Sequence, residues 1–193
     1  MTATVGLRRS PTRGETTAFV YDPIGNLTSM TDPLGNTTVW GYDDADNLVS
    51  ETDAIGATTG LSYDLVNQLA AVTDAEGAVT SFGYDAAGRV TTITDPLGGI
   101  SVFSYDGAGR RVASTNPSGE ITTFEVDVSG RVVGVSNPLG NTSATTYDPM
   151  GRILETVSAS GSTTAYTYDA RGLLTSVTDA VGNTTSIGSG RTD

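Results

Sequence analysis

Short stretches of apolar and hydroxyl-bearing residues alternate with tight turn sequences along the whole chain. Residues 89–94 (Arg-Val-Thr-Thr-Ile-Thr) and 100–105 (Ile-Ser-Val-Phe-Ser-Tyr) exemplify the two kinds of stretch. Both are rich in Thr, Val and aromatic residues, which suit a pleated, half-buried surface. Gly or Pro recurs too often for helices of several turns. The pattern predicts an all-β fold, a repetitive antiparallel β-hairpin ribbon of about sixteen short strands joined by tight turns.

The two kinds of stretch differ in how cleanly they alternate. In the second kind an aromatic residue and a Tyr lie two residues apart, as at Phe82 and Tyr84, and therefore share one face of a strand. In the first kind Leu27 and Met30 lie three apart. Either a β-bulge restores the common face, or both faces are partly covered.

A Tyr-Asp pair recurs every 21 residues without insertion or deletion, which divides residues 21–188 into eight repeat units. We number positions in each unit from the Tyr. The pairs are Tyr21-Asp22, Tyr42-Asp43, Tyr63-Asp64, Tyr84-Asp85, Tyr105-Asp106, Tyr147-Asp148 and Tyr168-Asp169, with Val126-Asp127 in the sixth unit. Residues 1–20 form a degenerate lead-in repeat, and residues 189–193 form a tail. Because both ends are ragged, we expect the chain to be a piece of a longer repeat protein.

Glycine marks two positions of the unit. Position 15 is Gly35, Gly56, Gly77, Gly98, Gly119, Gly140, Gly161 and Gly182. Position 5 is Gly25, Asp46, Asn67, Gly88, Gly109, Gly130, Gly151 and Gly172. Asp and Asn are the residues that, after Gly, best tolerate a left-handed backbone, so position 5 is predicted to need a positive φ.

Each unit contains two Asp-x-x-Gly segments, which favour type I β-turns with the Asp side chain accepting from backbone N–H groups. The first Asp is at position 2, and the second column, at position 12, is Asp32, Asp53, Asp74, Asp95, Asn116, Asn137, Ser158 and Asp179. Stacked carboxylates are also a possible Ca²⁺ cage. Replacement by Asn and Ser favours turn capping, which needs only an acceptor. We therefore predict no metal and no cofactor.

The amino-acid composition argues against several functions. The formal net charge is -12, which disfavours nucleic acid and anionic membranes as partners. Cys and His are absent, and with them disulfides, thiolate nucleophiles and imidazole chemistry. There is no apolar run long enough to span a membrane, and no signal peptide is recognisable. Most acids sit in the two repeated Asp columns, whereas a catalytic pair should be singular, so we expect no enzyme.

Two further columns have alternative interpretations. The Tyr and aromatic columns could stack on sugars, but such columns more often form the core. The Arg at position 6 (Arg89, Arg110, Arg131, Arg152) is either a ligand-binding stripe or, as we expect, a solvated stripe paired with neighbouring Asp.

The unit Y-D-x-x-G-R-L-x-x-x-T-D-P-L-G-x-T-T-x-F-x resembles the YD (Rhs) repeat, best in residues 84–104 and 21–41. That family includes bacterial Rhs polymorphic toxins, wall-associated proteins, C components of insecticidal toxin complexes and teneurins. The resemblance implies a strip of β-sheet that spirals into a hollow shell, secreted or surface-displayed, which in bacterial members encloses a C-terminal toxin.

Two departures from the family pattern stand out. Eight units are too few to close a shell, and the self-cleaving segment that ends the shell in the family is not recognisable.

Two functions follow as hypotheses. The first is a non-catalytic structural segment of an Rhs-like shell, with further YD repeats and an enclosed toxin domain as partners. The second is a cell-surface adhesin or carbohydrate-binding array with glycans as partners.

Overall fold

The computed structural model describes residues 4–9 and 16–188 as strands and turns, with no helix in those ranges. The strands are Thr4–Arg9 (β1), Thr16–Tyr21 (β2), Leu27–Thr31 (β3), Thr37–Tyr42 (β4), Leu48–Thr52 (β5), Thr58–Tyr63 (β6), Leu69–Thr73 (β7), Val79–Tyr84 (β8), Val90–Thr94 (β9), Ile100–Tyr105 (β10), Arg111–Thr115 (β11), Ile121–Val126 (β12), Val132–Ser136 (β13), Thr142–Tyr147 (β14), Ile153–Val157 (β15), Thr163–Tyr168 (β16), Leu174–Thr178 (β17) and Thr184–Ser186 (β18). The all-β prediction is confirmed. The tail and lead-in residues 1–3 and 10–15 lie outside the described residues.

The chain divides into two compact units, Met1–Ile100 and Ser101–Asp193. Strands β1 to β9 belong to the first unit, and each pairs antiparallel with the strand that follows it. Strands β10 to β18 follow the same rule in the second. Each of the two compact units is therefore a meander, the topology that tight turns between consecutive strands produce.

The turns have the backbone that the glycine columns predict. φ is positive at position 15 in all eight repeats, for example +85° at Gly98. It is also positive throughout position 5, including the two residues that are not glycine, Asp46 at 63° and Asn67 at 62°. In the first turn the N–H of Gly25 donates to the C=O of Asp22 at 3.2 Å, and the N–H of Asp22 donates to the C=O of Asn26 at 3.0 Å. This combination produces a hairpin whose glycine is bulged, which suits the twist of the strands.

A β-bulge places the apolar residues of the first stretch on one face. Tyr21 pairs with Leu27, but the preceding residue, Val20, pairs with Ser29, so Thr28 is the extra residue. The shift lets Met30 pair with Phe19 on the face that Tyr21 and Leu27 occupy. Similar shifts recur where later Tyr strands pair with the strand that follows, as at Gly83/Tyr84. Both arrangements left open by the sequence are found, because every residue of β3 also has intermediate exposure.

The aromatic face is only half-buried. Among the described residues no hydrophobic side chain is buried, and every Tyr at position 1 has intermediate exposure. The expectation that the aromatic columns form a core is wrong in this respect. A meander contributes one layer, and a layer on its own covers its apolar side chains only with neighbours in the same sheet.

Candidate functional site

The Asp at position 2 organises the first turn of each repeat. In the second-last repeat the Oδ1 of Asp148 accepts from the N–H groups of Met150 and Arg152, both at 2.9 Å. The same two bonds, to the residues two and four further on, are made in every repeat from Asp22 to Asp169. The carboxylate thus takes the place of a backbone acceptor in the loop.

The position 12 column makes the same contacts at the other turn. Asp95 accepts from Leu97 at 2.9 Å and from Gly99 at 2.8 Å. Asn116 accepts through its amide oxygen from Ser118 at 3.0 Å and from Glu120 at 2.9 Å. Ser158 accepts from the N–H of Ser162 at 3.0 Å. Position 12 therefore uses a hydrogen-bond acceptor, which need not be charged. In the described ranges no three acidic side chains gather in a group that could hold a metal ion.

Hydrogen bonds in these turns lower the pKa of several Asp residues. The side-chain hydrogen bond from Arg89, followed by the backbone N–H of the same residue, holds the pKa of Asp85 below its ordinary value of 3.8. At Asp148 the backbone N–H of Arg152 is the largest cause of a lowered pKa, with the guanidinium adding to it and desolvation opposing it. The hydrogen bonds of the turn therefore favour the ionised form of the Asp side chain.

The hydroxyl of the Tyr connects neighbouring repeats. It donates to the backbone C=O of the residue at position 7 of the preceding repeat, where that strand begins. The pairs are Tyr42 with Leu27 (3.1 Å), Tyr63 with Leu48 (2.9 Å), Tyr84 with Leu69 (2.8 Å), Tyr147 with Val132 (3.1 Å) and Tyr168 with Ile153 (2.8 Å). Sequence reasoning missed this contact. The signal was the use of Tyr rather than Phe at position 1 in seven of eight repeats.

The Arg at position 6 also reaches from one repeat to the next. The Nε of Arg131 donates to Asp127 of its own repeat at 2.7 Å, while Nη1 donates to the C=O of Asp148 in the following repeat at 3.3 Å. Its guanidinium lies 4.6 Å from the ring centroid of Tyr147. Arg152 stacks in the same way on Tyr168, at 4.7 Å. Cation–π stacking and charge-assisted hydrogen bonds therefore act on one side chain.

The Arg column differs in part from the expected solvated stripe. Pairing with Asp is found, but the four arginine side chains retain only 29–33% of their exposure. The guanidinium groups of Arg131 and Arg152 cover the rings of Tyr147 and Tyr168, which freely solvated side chains do not do.

Where position 6 is Asn, its short side chain hydrogen-bonds to position 5 of the next repeat. The amide of Asn26 donates to Asp46 at 3.2 Å, and that of Asn47 donates to Asn67 at 3.3 Å. These are the two repeats in which position 5 is not Gly. At the next junction the space is occupied by Gln68: a Cβ built on Gly88 lies 2.9 Å from the Gln68 amide nitrogen. At these three junctions a short side chain at position 6 accompanies Asp or Asn at position 5 of the next repeat, and the longer Gln68 accompanies Gly88.

The meanders, and the contacts that recur between successive repeats within each of them, define a tandem β-repeat protein with a 21-residue unit. The chain belongs to the RHS repeat family. The RHS Repeat profile matches residues 7–37, 21–58, 42–78, 63–100, 90–123, 126–163 and 151–184.

Solved structures with the same fold come from toxin complexes. A Tc holotoxin pore of Photorhabdus luminescens, which carries a TccC3 mutation, is 19% identical with a TM-score of 0.64, over 89% of this chain and 11% of that one. A TcdB2-TccC3-Cdc42 crystal structure is 20% identical with a TM-score of 0.62, over 86% of this chain and 10% of that one. The chain thus spans about a tenth of the length of each. No curated protein matches the sequence. Within the described residues no helix is long and apolar enough to cross a bilayer.

Proposed function

We propose that this chain is a non-catalytic segment of wall in an Rhs-like β-sheet shell, and that the shell encloses or presents a C-terminal toxin or effector. The observation that carries the proposal is the recurring attachment of successive repeats within each compact unit. Backbone ladders extend along each unit, and the Tyr hydroxyl of one repeat caps a carbonyl of the repeat before it, as at Tyr84 and Leu69. A surface built by adding identical hairpins is a means of enclosure.

The hydrogen bonds that the acidic side chains accept support a non-catalytic role. The position 2 and position 12 carboxylates accept backbone hydrogen bonds within their own turns, as Asp148 and Asp95 do. General acid–base chemistry needs a carboxylate set apart by its environment, with a pKa raised toward neutrality. The resolved shifts of the Asp residues go in the opposite direction, as at Asp85 and Asp106.

The toxin-complex structures support the shell, because their β-repeats share the fold of this chain. The same likeness supports further RHS repeats as the immediate partners and secretion or surface display as the location. Glycan binding is the competing proposal. It receives less support, because guanidinium groups cover the Tyr147 and Tyr168 rings and the two hydroxyls are already bonded.

The test uses the complete gene product that carries this segment. Electron microscopy is expected to show a hollow particle, and limited proteolysis is expected to spare the C-terminal segment until the particle is opened by denaturant. An extended particle without a lumen, or a C-terminal segment digested as fast as the same segment expressed alone, would overturn the shell. A glycan array with the same protein is expected to show no binding, and selective glycan binding would favour the adhesin.

A further inference from the structure

The sixth repeat lacks the Tyr at position 1 and has Val126 there instead. A cavity of about 310 Å³ lies beside this residue, lined by Arg110, Arg111, Phe124, Val126, Gly130 and Val132. That volume is at the lower end of the range for ligand pockets, roughly 300–1,000 Å³.

The neighbouring repeat identifies what the cavity is. In the seventh repeat the corresponding place is filled by the ring of Tyr147, with Arg131 stacked on it at 4.6 Å and the carbonyl of Val132 accepting from its hydroxyl at 3.1 Å. Arg110 and Arg111 occupy, one repeat earlier, the positions of Arg131 and Val132. The cavity is therefore the place that a Tyr ring occupies in the repeats that have one.

The groups that would receive such a ring are held in place. The Nε of Arg110 donates to Asp106 at 2.7 Å, and its Nη1 donates to the C=O of Asp127. These bonds fix the plane of the guanidinium over the cavity, as the corresponding bonds fix Arg131. A fixed guanidinium favours an aromatic ring over an aliphatic chain, because the attraction comes from the electron-rich face of the ring.

Arg111 adds a second wall. Its guanidinium lies 5.1 Å from the ring centroid of Phe124 and 5.8 Å from that of Phe103, and it forms no ion pair with any described residue. At the same place in the other repeats the side chain is Leu, Val or Ile. The backbone carbonyl of Arg111 stands where those of Leu69 and Val132 accept a Tyr hydroxyl, and Val126 has no hydroxyl to donate.

We propose that this cavity is a binding site for a para-hydroxyphenyl group, with the ring against the Arg110 guanidinium and the hydroxyl donating to the carbonyl of Arg111. The ring would come from a small phenol or from a Tyr side chain of another polypeptide segment. The two sources share the recognition chemistry and differ in what is attached opposite the hydroxyl.

The experiment is an NMR titration of the intact chain with p-cresol. Saturable shifts of the amide resonances of Arg111, Gly130 and Val132 are expected. Toluene, which has the same ring and methyl group without the hydroxyl, is expected to bind roughly tenfold more weakly because one hydrogen bond is lost. A tyrosine-containing tripeptide is titrated in parallel. Binding of both probes assigns the site to Tyr side chains, and binding of p-cresol alone assigns it to free phenols.

Two variants control the assignment. Val126→Tyr places the chain's own ring in the cavity and is expected to abolish the shifts. Tyr147→Val is expected to create a second site of the same kind beside Arg131, seen as p-cresol-dependent shifts in the seventh repeat. Absence of saturable shifts in the parent chain, equal binding of toluene, or unchanged binding in Val126→Tyr would overturn the proposal.

Discussion

The hydroxyl of Tyr84 donates a 2.8 Å hydrogen bond to the backbone carbonyl of Leu69, which lies in the preceding repeat. Tyr84→Phe keeps the ring and removes only this bond. A hydrogen bond of this kind contributes about 0.5–1.5 kcal/mol to stability. In a domain of this size we expect the melting temperature to fall by about 2–4 °C per kcal/mol.

The matched control for this variant is Tyr166→Phe. Tyr166 is a half-buried Tyr at position 20, and its hydroxyl makes no hydrogen bond to a described residue. Circular dichroism should therefore record almost no change in its melting temperature. Equal losses in the two variants would show that the Tyr84 hydroxyl adds nothing to the attachment of repeats.

Gly98 tests the turn backbone separately from packing. Its φ is +85°, and a Cβ placed on it meets no atom within 4 Å, so only backbone strain opposes a side chain. Gly98→Ala is expected to cost about 1–2 kcal/mol, the penalty of the left-handed region. Gly98→Asn should cost less, because Asn67 adopts a φ of 62° at the other turn. Chemical denaturation measures the free energy of unfolding of both variants. An Asn variant less stable than the Ala variant would contradict the strain argument.

Filling the vacant ring position should stabilise the chain. Val126→Tyr adds a ring against Arg110 and a hydroxyl for the Arg111 carbonyl, in a cavity already open to it. Cavity-filling substitutions commonly add about 0.5–2 kcal/mol. Val126→Phe supplies the ring without the hydroxyl and should recover part of the gain. A lower melting temperature for Val126→Tyr would mean that the cavity does not accept the ring.

Acid should destabilise the fold through the turn carboxylates. The pKa values of Asp85, Asp106 and Asp179, among others, are lowered in the folded chain from 3.8. Their contribution is therefore complete above the unfolded pKa and is lost as the pH falls through the folded values. Thermal melts should show a fall in melting temperature below about pH 4.

Asp179→Asn isolates one of these groups. Asn137 already occupies position 12 in another repeat, followed by Asn141 at position 16, and accepts from Leu139 and Asn141 at 3.0 Å each. The variant should thus keep the turn near neutral pH and lose less stability in acid than the parent chain. An unchanged acid dependence would show that Asp179 does not contribute to it.

Chelation is expected to have no effect on the melting temperature. The Oδ1 atoms of Asp32 and Asp53 already accept two backbone hydrogen bonds each. Melts with EDTA and with added Ca²⁺ should coincide. A rise of several degrees in Ca²⁺ alone would restore the cage interpretation of the Asp columns.

The fold was predictable because its determinants are local. Glycine at position 15 and Asp-Pro-Leu-Gly segments such as 95–98 define turns within four residues, and the turns delimit the strands. The Tyr84–Leu69 and Arg131–Asp148 contacts were not predictable in this way, since they depend on the spacing of strands in different repeats. The half-burial of Tyr84 was missed for a related reason: periodicity assigns a face but does not say what covers it.

The match in size between positions 6 and 5 constrains how such a gene lengthens. A duplicated copy of repeat 147–167 sets Arg152 beside a second Gly151 and a second Tyr147, which reproduces the pairing of Arg152 with Gly172 and Tyr168 already present. A duplicated copy of repeat 63–83 sets Gln68 beside Asn67, a combination found at no junction in this sequence. Repeats that carry both Tyr at position 1 and Arg at position 6 are therefore the units that can be copied in tandem without a compensating mutation at the new junction.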